Sequence, residues 1–140
     1  MRALIQRVSR AEVRVEGEVV SAIGPGLLVL LGVAPGDGEA DADRLAARIA
    51  KLRVFPGPGG AFDAPVGERE VLVVSQFTLL ADMSRGNRPG WSGAARPEHA
   101  EPLYERVRTA LGARGGVFGA HMNVELVNDG PVTLLLESPA

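Results

Sequence analysis

The sequence predicts an α+β fold, a mainly antiparallel, barrel-like β-sheet carrying two principal helices, contained in a single domain over residues 1–140. Three features carry that expectation. Short apolar runs bounded by turn residues recur along the chain, only two segments show a helical period, and neither an internal repeat nor a low-complexity linker divides them. Strands with few helices between them favour antiparallel pairing over a doubly wound parallel sheet. With 140 residues and 46% hydrophobic content, the chain is long enough to enclose one core.

Taken in order, Val13-Arg14-Val15-Glu16-Gly17-Glu18-Val19-Val20 alternates and breaks at a glycine, the pattern of two half-buried strands joined by a tight turn. Gly26-Leu27-Leu28-Val29-Leu30-Leu31-Gly32-Val33, Val71-Leu72-Val73-Val74 and Val132-Thr133-Leu134-Leu135-Leu136 are short apolar runs bounded by turn residues. They read as strands covered on both faces, forming the centre of the sheet. Asp37 or a neighbour is expected to cap a helix on which Leu45, Ile49 and Leu52 recur at helical spacing. Asp41 and Asp43 lie early on it and Arg48, Lys51 and Arg53 late, which complements the helix dipole. A second helix is expected over 97–111, with Leu103, Val107 and Leu111 on one face and Gly112 as its stop. Pro102 leaves its start open, because proline donates no backbone hydrogen bond. Residues 56–60 and 86–93, rich in Gly and Pro, read as loops.

Composition removes whole classes of chemistry. The absence of cysteine excludes disulfides, thiolate nucleophiles and cysteine-ligated metals, and two histidines, His99 and His121, cannot build a histidine-rich metal site. No metal and no cofactor is expected. The G-x-S-x-G elbow, H-E-x-x-H, the P-loop and a Rossmann glycine fingerprint are all missing, and nothing nominates partners for a Ser-His-Asp triad. Arg2, Arg7 and Arg10 interrupt any secretory-signal pattern, and the apolar run near 27–33 is far shorter than the roughly 20 residues of a membrane-spanning helix. A cytoplasmic location without a membrane partner is therefore expected. A net charge of −2 argues against bulk attraction to a polyanion, so DNA is not an expected partner and any RNA contact must be local. Lys51 is the only lysine; the excess of arginine suits bidentate phosphate contacts, although a coding bias gives the same composition.

Two motifs remain. Ser75-Gln76-Phe77-Thr78-Leu79 follows a buried strand, and Asn128-Asp129-Gly130-Pro131-Val132-Thr133 precedes the last one. With Met1-Arg2-Ala3, Gln6-Arg7-Val8, the block from Gly24-Pro25 to Val33, Gly86-Asn87-Arg88-Pro89 and Val117-Phe118-Gly119-Ala120, the sequence closely resembles the D-aminoacyl-tRNA deacylase family over nearly its whole length. Two separated motifs in the expected order are far more specific than either string alone. The sequence departs from the family pattern in residues 56–70, a shorter segment with Asp63 in place of an expected asparagine, and at His121, where an acidic residue is usual.

Read for chemistry, Ser75, Gln76, Phe77 and Thr78 put amides and hydroxyls at the rim of a rigid sheet, where an oxyanion is stabilised by about 2.7–4 kcal/mol per prepositioned donor. In isolation, Ser75 and Thr78 would more often only satisfy strand-end hydrogen bonds. Thr78 as nucleophile has no evident base, so water is the preferred attacking species. The resemblance implies a carboxylic ester hydrolase that removes D-amino acids, and glycine, from tRNA, with a ribose hydroxyl helping to activate the water. It further implies a homodimer in which a cis Gly130-Pro131 pair enters the partner's site to check chirality, with Arg7 fixing that pair. Phe118, Gly119, Ala120 and Met122 resemble the pocket for the terminal adenine, and Arg85 and Arg88 are candidates for tRNA phosphates. The alternatives are a non-catalytic RNA-binding module, for which the basic stripe and RNP aromatics are missing, and a purely structural dimer.

Overall fold

The structure is a computed structural model, and it describes residues 1–138. In chain order the elements are β1 (Arg2–Val15), β2 (Glu18–Ile23), β3 (Gly26–Gly32), α1 (Glu39–Lys51), β4 (Phe55–Gly57), β5 (Gly60–Ala64), β6 (Glu70–Ser75), a 3-10 turn (Phe77–Leu80), α2 (Pro97–Ala110), β7 (Arg114–Gly115) and β8 (Asn123–Glu137). The predicted hairpin forms as β1 and β2, turning at Glu16 and Gly17, both at positive φ.

β1 is flanked along its length. On one side it pairs antiparallel with β8 from Arg2 to Arg14; on the other, its first half pairs with β3 and its second with β2. β3 pairs in parallel with β6, and β6 in parallel with β7. Ser21 Oγ donates to the Gly115 carbonyl at 2.8 Å and Arg114 Nη1 to the Ala22 carbonyl at 3.0 Å, drawing β7 onto β2. The product is the expected α+β architecture, a nearly closed, barrel-like mixed sheet.

Alternation explains why β3 and β6 need no polar side. Leu27, Val29 and Leu31, with Val71 and Val73, face the core shared with the helices; Leu28, Leu72 and Val74 face a second cluster with Val8, Ala11, Val13 and Ile23. Each fully buried side chain of this size contributes about 1.5–3 kcal/mol. α1 adds Leu45 and Ile49, and α2 adds Leu103, Val107 and Tyr104. The Tyr104 hydroxyl donates to the Val73 carbonyl at 2.7 Å, and burial pushes its pKa up.

Two expectations need correction. The Val132 to Leu136 run is not at the centre of the sheet: β8 pairs with β1 alone, and Leu134 and Leu135 are exposed while Val132 is buried. An apolar run signals burial by something, and the described residues leave both Leu134 and Leu135, on opposite sides of the strand, partly uncovered. The α1 cap, by contrast, falls as expected on the neighbour of Asp37, Gly38, whose amide donates to Asp41 Oδ2 at 2.9 Å. Asp37 is instead turned inward, accepting from the Ala34 amide at 2.7 Å and meeting the Met1 ammonium at 2.8 Å. Finally, residues 56–60, expected as loop, belong largely to the β4–β5 hairpin, and Arg53 lies beyond α1.

That hairpin depends on Asp63, the residue that departs from the family pattern. Its carboxylate accepts from the Gly59 amide at 2.9 Å and from Arg53 Nη2 at 2.7 Å. The Gly59 bond first, and Arg53 second, hold its pKa below the usual carboxylate value. A carboxyl depressed in the folded state stabilises fully above its unfolded pKa, and that contribution disappears as pH falls through the folded value. The Gly59 amide resonance should therefore titrate below the ordinary aspartate range of about 3.9, and Asp63→Asn, which keeps an acceptor but no charge, should abolish that step. An identical profile in the variant would contradict this role for Asp63.

Candidate active site

Pairing with β3 fixes the end of β6. Ser75 lies opposite Leu31, and the Gln76 amide continues the register by donating to the Leu31 carbonyl at 2.8 Å. The chain then tightens into the 3-10 turn, which crosses the end of β3 at Gly32. A side chain there would overlap Leu80 and press on the Gln76 carbonyl oxygen at 3.0 Å, so close approach requires glycine. Arg2 Nη1 donates to the Leu79 carbonyl at 2.7 Å, tying the turn to β1.

This turn leaves two amides free. Those of Phe77 and Thr78 open it and have no carbonyl partner among the described residues, as expected for the first donors of a helical turn. Gln76 Nε2 donates to Thr78 Oγ1, so the threonine oxygen serves as an acceptor and no base addresses it. Thr78 and Phe77 are both exposed on the rim.

Ser75, Gln76 and Phe77 form one wall of a cleft of about 550 Å³, and Phe118, Gly119, Ala120 and Met122 line it as well. The two predicted segments, more than forty positions apart, thus share one cavity. Phe118 packs against Tyr104 with ring centroids 5.9 Å apart, and Gly119 takes φ +78°, which lets the segment turn back along the cleft. Among the described residues no carboxylate lines the cavity; its ionisable side chains are Arg96 and His121. Such a site offers dipoles and one fixed cation, suited to stabilising a developing anion rather than to abstracting a proton.

Gly130 and Pro131 do not line this cleft. The β1–β8 register passes from Gln6↔Thr133 to Val8↔Asn128, so residues 129–132 bulge from β8 opposite Arg7. Arg7 pairs with Leu27 on β3 while Ser75 pairs with Leu31, a separation of about 13 Å along the strand. The Gly130-Pro131 peptide is cis. Arg7 donates through Nε to the Asp129 carbonyl at 2.9 Å and through Nη1 to the Val54 carbonyl at 2.6 Å, anchoring the bulge to the body of the protein. Gly130 has φ +146°, and a Cβ there would sit 2.9 Å from the Val132 nitrogen and 3.3 Å from Arg7 Nη2.

Sequence reasoning missed two contributors. Asn128, given no role of its own in the motif, closes the bulge: its Oδ1 accepts from the Val132 amide at 2.7 Å, and its Nδ2 donates to Thr133 Oγ1 at 2.9 Å. Its place at the head of an Asn-Asp-Gly-Pro string was the available signal, since asparagine side chains commonly bond backbone two or more residues on. Trp91 and the residues leading into α2 also line the cleft, a tertiary placement no local pattern encodes. Trp91 meets Phe77 edge-on, with centroids 4.8 Å apart. Arg85 and Arg88 sit exposed on a loop closed by paired Asp82–Gly90 backbone bonds at 2.8 Å.

Comparison with known proteins bears on this geometry. The family model for D-Tyr-tRNA(Tyr) deacylase matches residues 4–137. A D-aminoacyl-tRNA deacylase of Anaeromyxobacter dehalogenans is 59% identical, the match covering 99% of this chain and 97% of that one. One from Deinococcus radiodurans is 54% identical over 98% and 99%. Among solved structures, a c-Myc DNA unwinding element binding protein superposes with TM-score 0.92 at 41% identity, covering all of both chains. A probable eukaryotic D-amino acid tRNA deacylase gives TM-score 0.75 at 17% identity over 96% and 97%, a likeness of fold.

The Asn128 clamp can be tested without reference to activity. Asn128→Ala leaves the buried Val132 amide without its acceptor, which should cost about 1–3 kcal/mol in denaturant unfolding. Unchanged stability would show that the bulge holds itself.

Proposed function

The chain belongs to the D-Tyr-tRNA(Tyr) deacylase family, and we propose that it hydrolyses the ester joining a D-amino acid, or glycine, to the 3′ end of tRNA. One observation carries the reading: Ser75, Gln76 and Phe77 line a cleft that also contains the Phe118 to Met122 segment, and the free Phe77 amide, with that of Thr78 next to it, opens the turn at its edge. An ester carbonyl at the rim would receive two backbone hydrogen bonds as its oxygen becomes anionic, each worth about 2.7–4 kcal/mol. Apolar walls around Phe118 and Met122 fit a flat purine held largely by stacking and packing.

Water is the nucleophile in this scheme. Thr78 Oγ accepts from Gln76, and the cleft lacks a carboxylate, so a hydroxyl of the terminal ribose assists proton removal while the protein orients the ester. The water oxygen adds to the carbonyl carbon, the bond to the ribose oxygen breaks, and that oxygen takes a proton, leaving free amino acid and tRNA.

Chirality is assigned to the Gly130-Pro131 bulge of a second subunit. Exposed Val127, Leu134 and Leu135 on β8, which pairs with β1 along one edge, favour a homodimer that covers part of this strand. A bulge delivered in trans presents rigid backbone to the α-carbon, so an L side chain collides, a D side chain points away, and glycine passes. Hydrophobic pockets discriminate by only about 1–3 kcal/mol, whereas a selectivity of ~10⁴ needs about 5.5 kcal/mol, which steric exclusion can supply. Arg85 and Arg88 are available to phosphates of the acceptor arm.

The direct test follows ester loss from D-Tyr-tRNA, L-Tyr-tRNA and Gly-tRNA. The first and third should be hydrolysed and the second spared. Thr78→Ala should keep substantial activity, within about tenfold of the parent. Hydrolysis of none of the three would defeat the functional reading, and a trapped acyl-Thr78 would defeat the mechanism.

A further inference from the structure

Beside the cleft, and sharing the Trp91 wall with it, runs a shallower groove of about 450 Å³. Ser92, Glu98 and His99 line the groove only, whereas Trp91, Ala94, Ala95 and Arg96 line both cavities. We propose that this groove binds the nucleotide immediately 5′ of the terminal adenosine, with its base stacked on Trp91 and its phosphate at Arg96. The inference rests on the ester-of-RNA reading above and extends it by one residue of the substrate strand.

Continuity is the first support. A strand whose last nucleoside fills the cleft must leave past the shared wall, and the groove is a cavity reached across that wall. The second is the exposed ring. Trp91 remains 42% exposed although it is the largest apolar side chain in the protein, and its ring meets Phe77 edge-on at the cleft wall. An open indole is a stacking platform for any base.

Charge is the third. Arg96 is exposed and has no carboxylate partner among the described residues, whereas Arg106, Arg108 and Arg114, on α2 and just beyond it, are each paired with one. Glu98 is the only acidic side chain lining the groove, and the phosphate is assigned away from it, to the end shared with the cleft. His99 is occupied, donating through Nε2 to the Asp37 carbonyl at 2.7 Å, and so forms a fixed wall rather than a ligand.

The test compares two small esters of one protein, D-tyrosyl-adenosine and D-tyrosyl-cytidylyl-adenosine. In the parent, KM for the dinucleotide ester should be about tenfold lower, because stacking of the added base contributes to binding. Trp91→Ala, or Ser92→Glu, which sets a carboxylate in the groove, should shrink the ratio to about twofold or less, while Ser92→Ala preserves it. A damaged fold lowers turnover of both esters without changing their ratio, so the ratio isolates the groove. Equal KM values in the parent, or a ratio unaffected by both Trp91→Ala and Ser92→Glu, would overturn the inference. If neither ester were turned over, the functional reading would fail first and the groove with it.

Discussion

Everything distinctive in this molecule hangs on the two-sided pairing of β1. A strand of 14 residues has its backbone groups claimed on one side by β8 and on the other by β3 and β2 in succession. Unpaired buried amides and carbonyls are costly, so the register of those neighbours is set by β1 rather than by loops. The partnership with β3 fixes β6, hence Ser75 and Gln76; the partnership with β8 decides where four residues must bulge. Arg2 and Arg7, both on β1, then reach out to the 3-10 turn and to the bulge. One strand thus positions both the rim and the bulge, the two parts assigned to the proposed site.

The chemistry proposed for the rim is electrostatic in character. With no carboxylate in the cleft and a threonine oxygen already engaged by Gln76, the rim offers backbone dipoles set by the β3–β6 register and by the space at Gly32. Dipoles held this way do not reorganise as charge develops, which is what makes them effective in a partly enclosed cavity. The same logic applies to the bulge, where Arg7 and Asn128 hold backbone in place from both flanks. The proposal divides labour accordingly: one rim stabilises an anion, and one rigid backbone segment excludes the wrong hand.

Much of this was legible in the sequence, for physical reasons that can be named. β3 and β6 are unbroken apolar runs because both faces are buried, and α1 and α2 show their period because each has one wet side. The clustering of the Ser75 and Phe118 segments came from family likeness, since periodicity carries no information about which loops converge. Val132 to Leu136 misled because its hydrophobicity answers to something other than this chain's own core. The cap of α1 was legible only to within one residue, at Gly38 beside Asp37, because a helix-capping residue type and a buried acceptor look alike in sequence. Trp91 was invisible for a different reason: its importance lies in the two cavities it separates.

The central claim is that the site is completed by a second copy, rim from one subunit and Gly130-Pro131 from the other. Two variants, Gly32→Ala, whose added methyl displaces the turn that carries the rim amides, and Gly130→Ala at the bulge, should each be weak on D-Tyr-tRNA as homodimers. Co-expressed and purified as a mixed population, they should regain about a quarter of the parental activity, because half the dimers are hybrids and each hybrid holds one site with intact rim and intact bulge. Dimeric, folded hybrids with no activity above that of the separate variants would contradict the account, since a bulge acting within its own subunit leaves every site in the mixture with one defect.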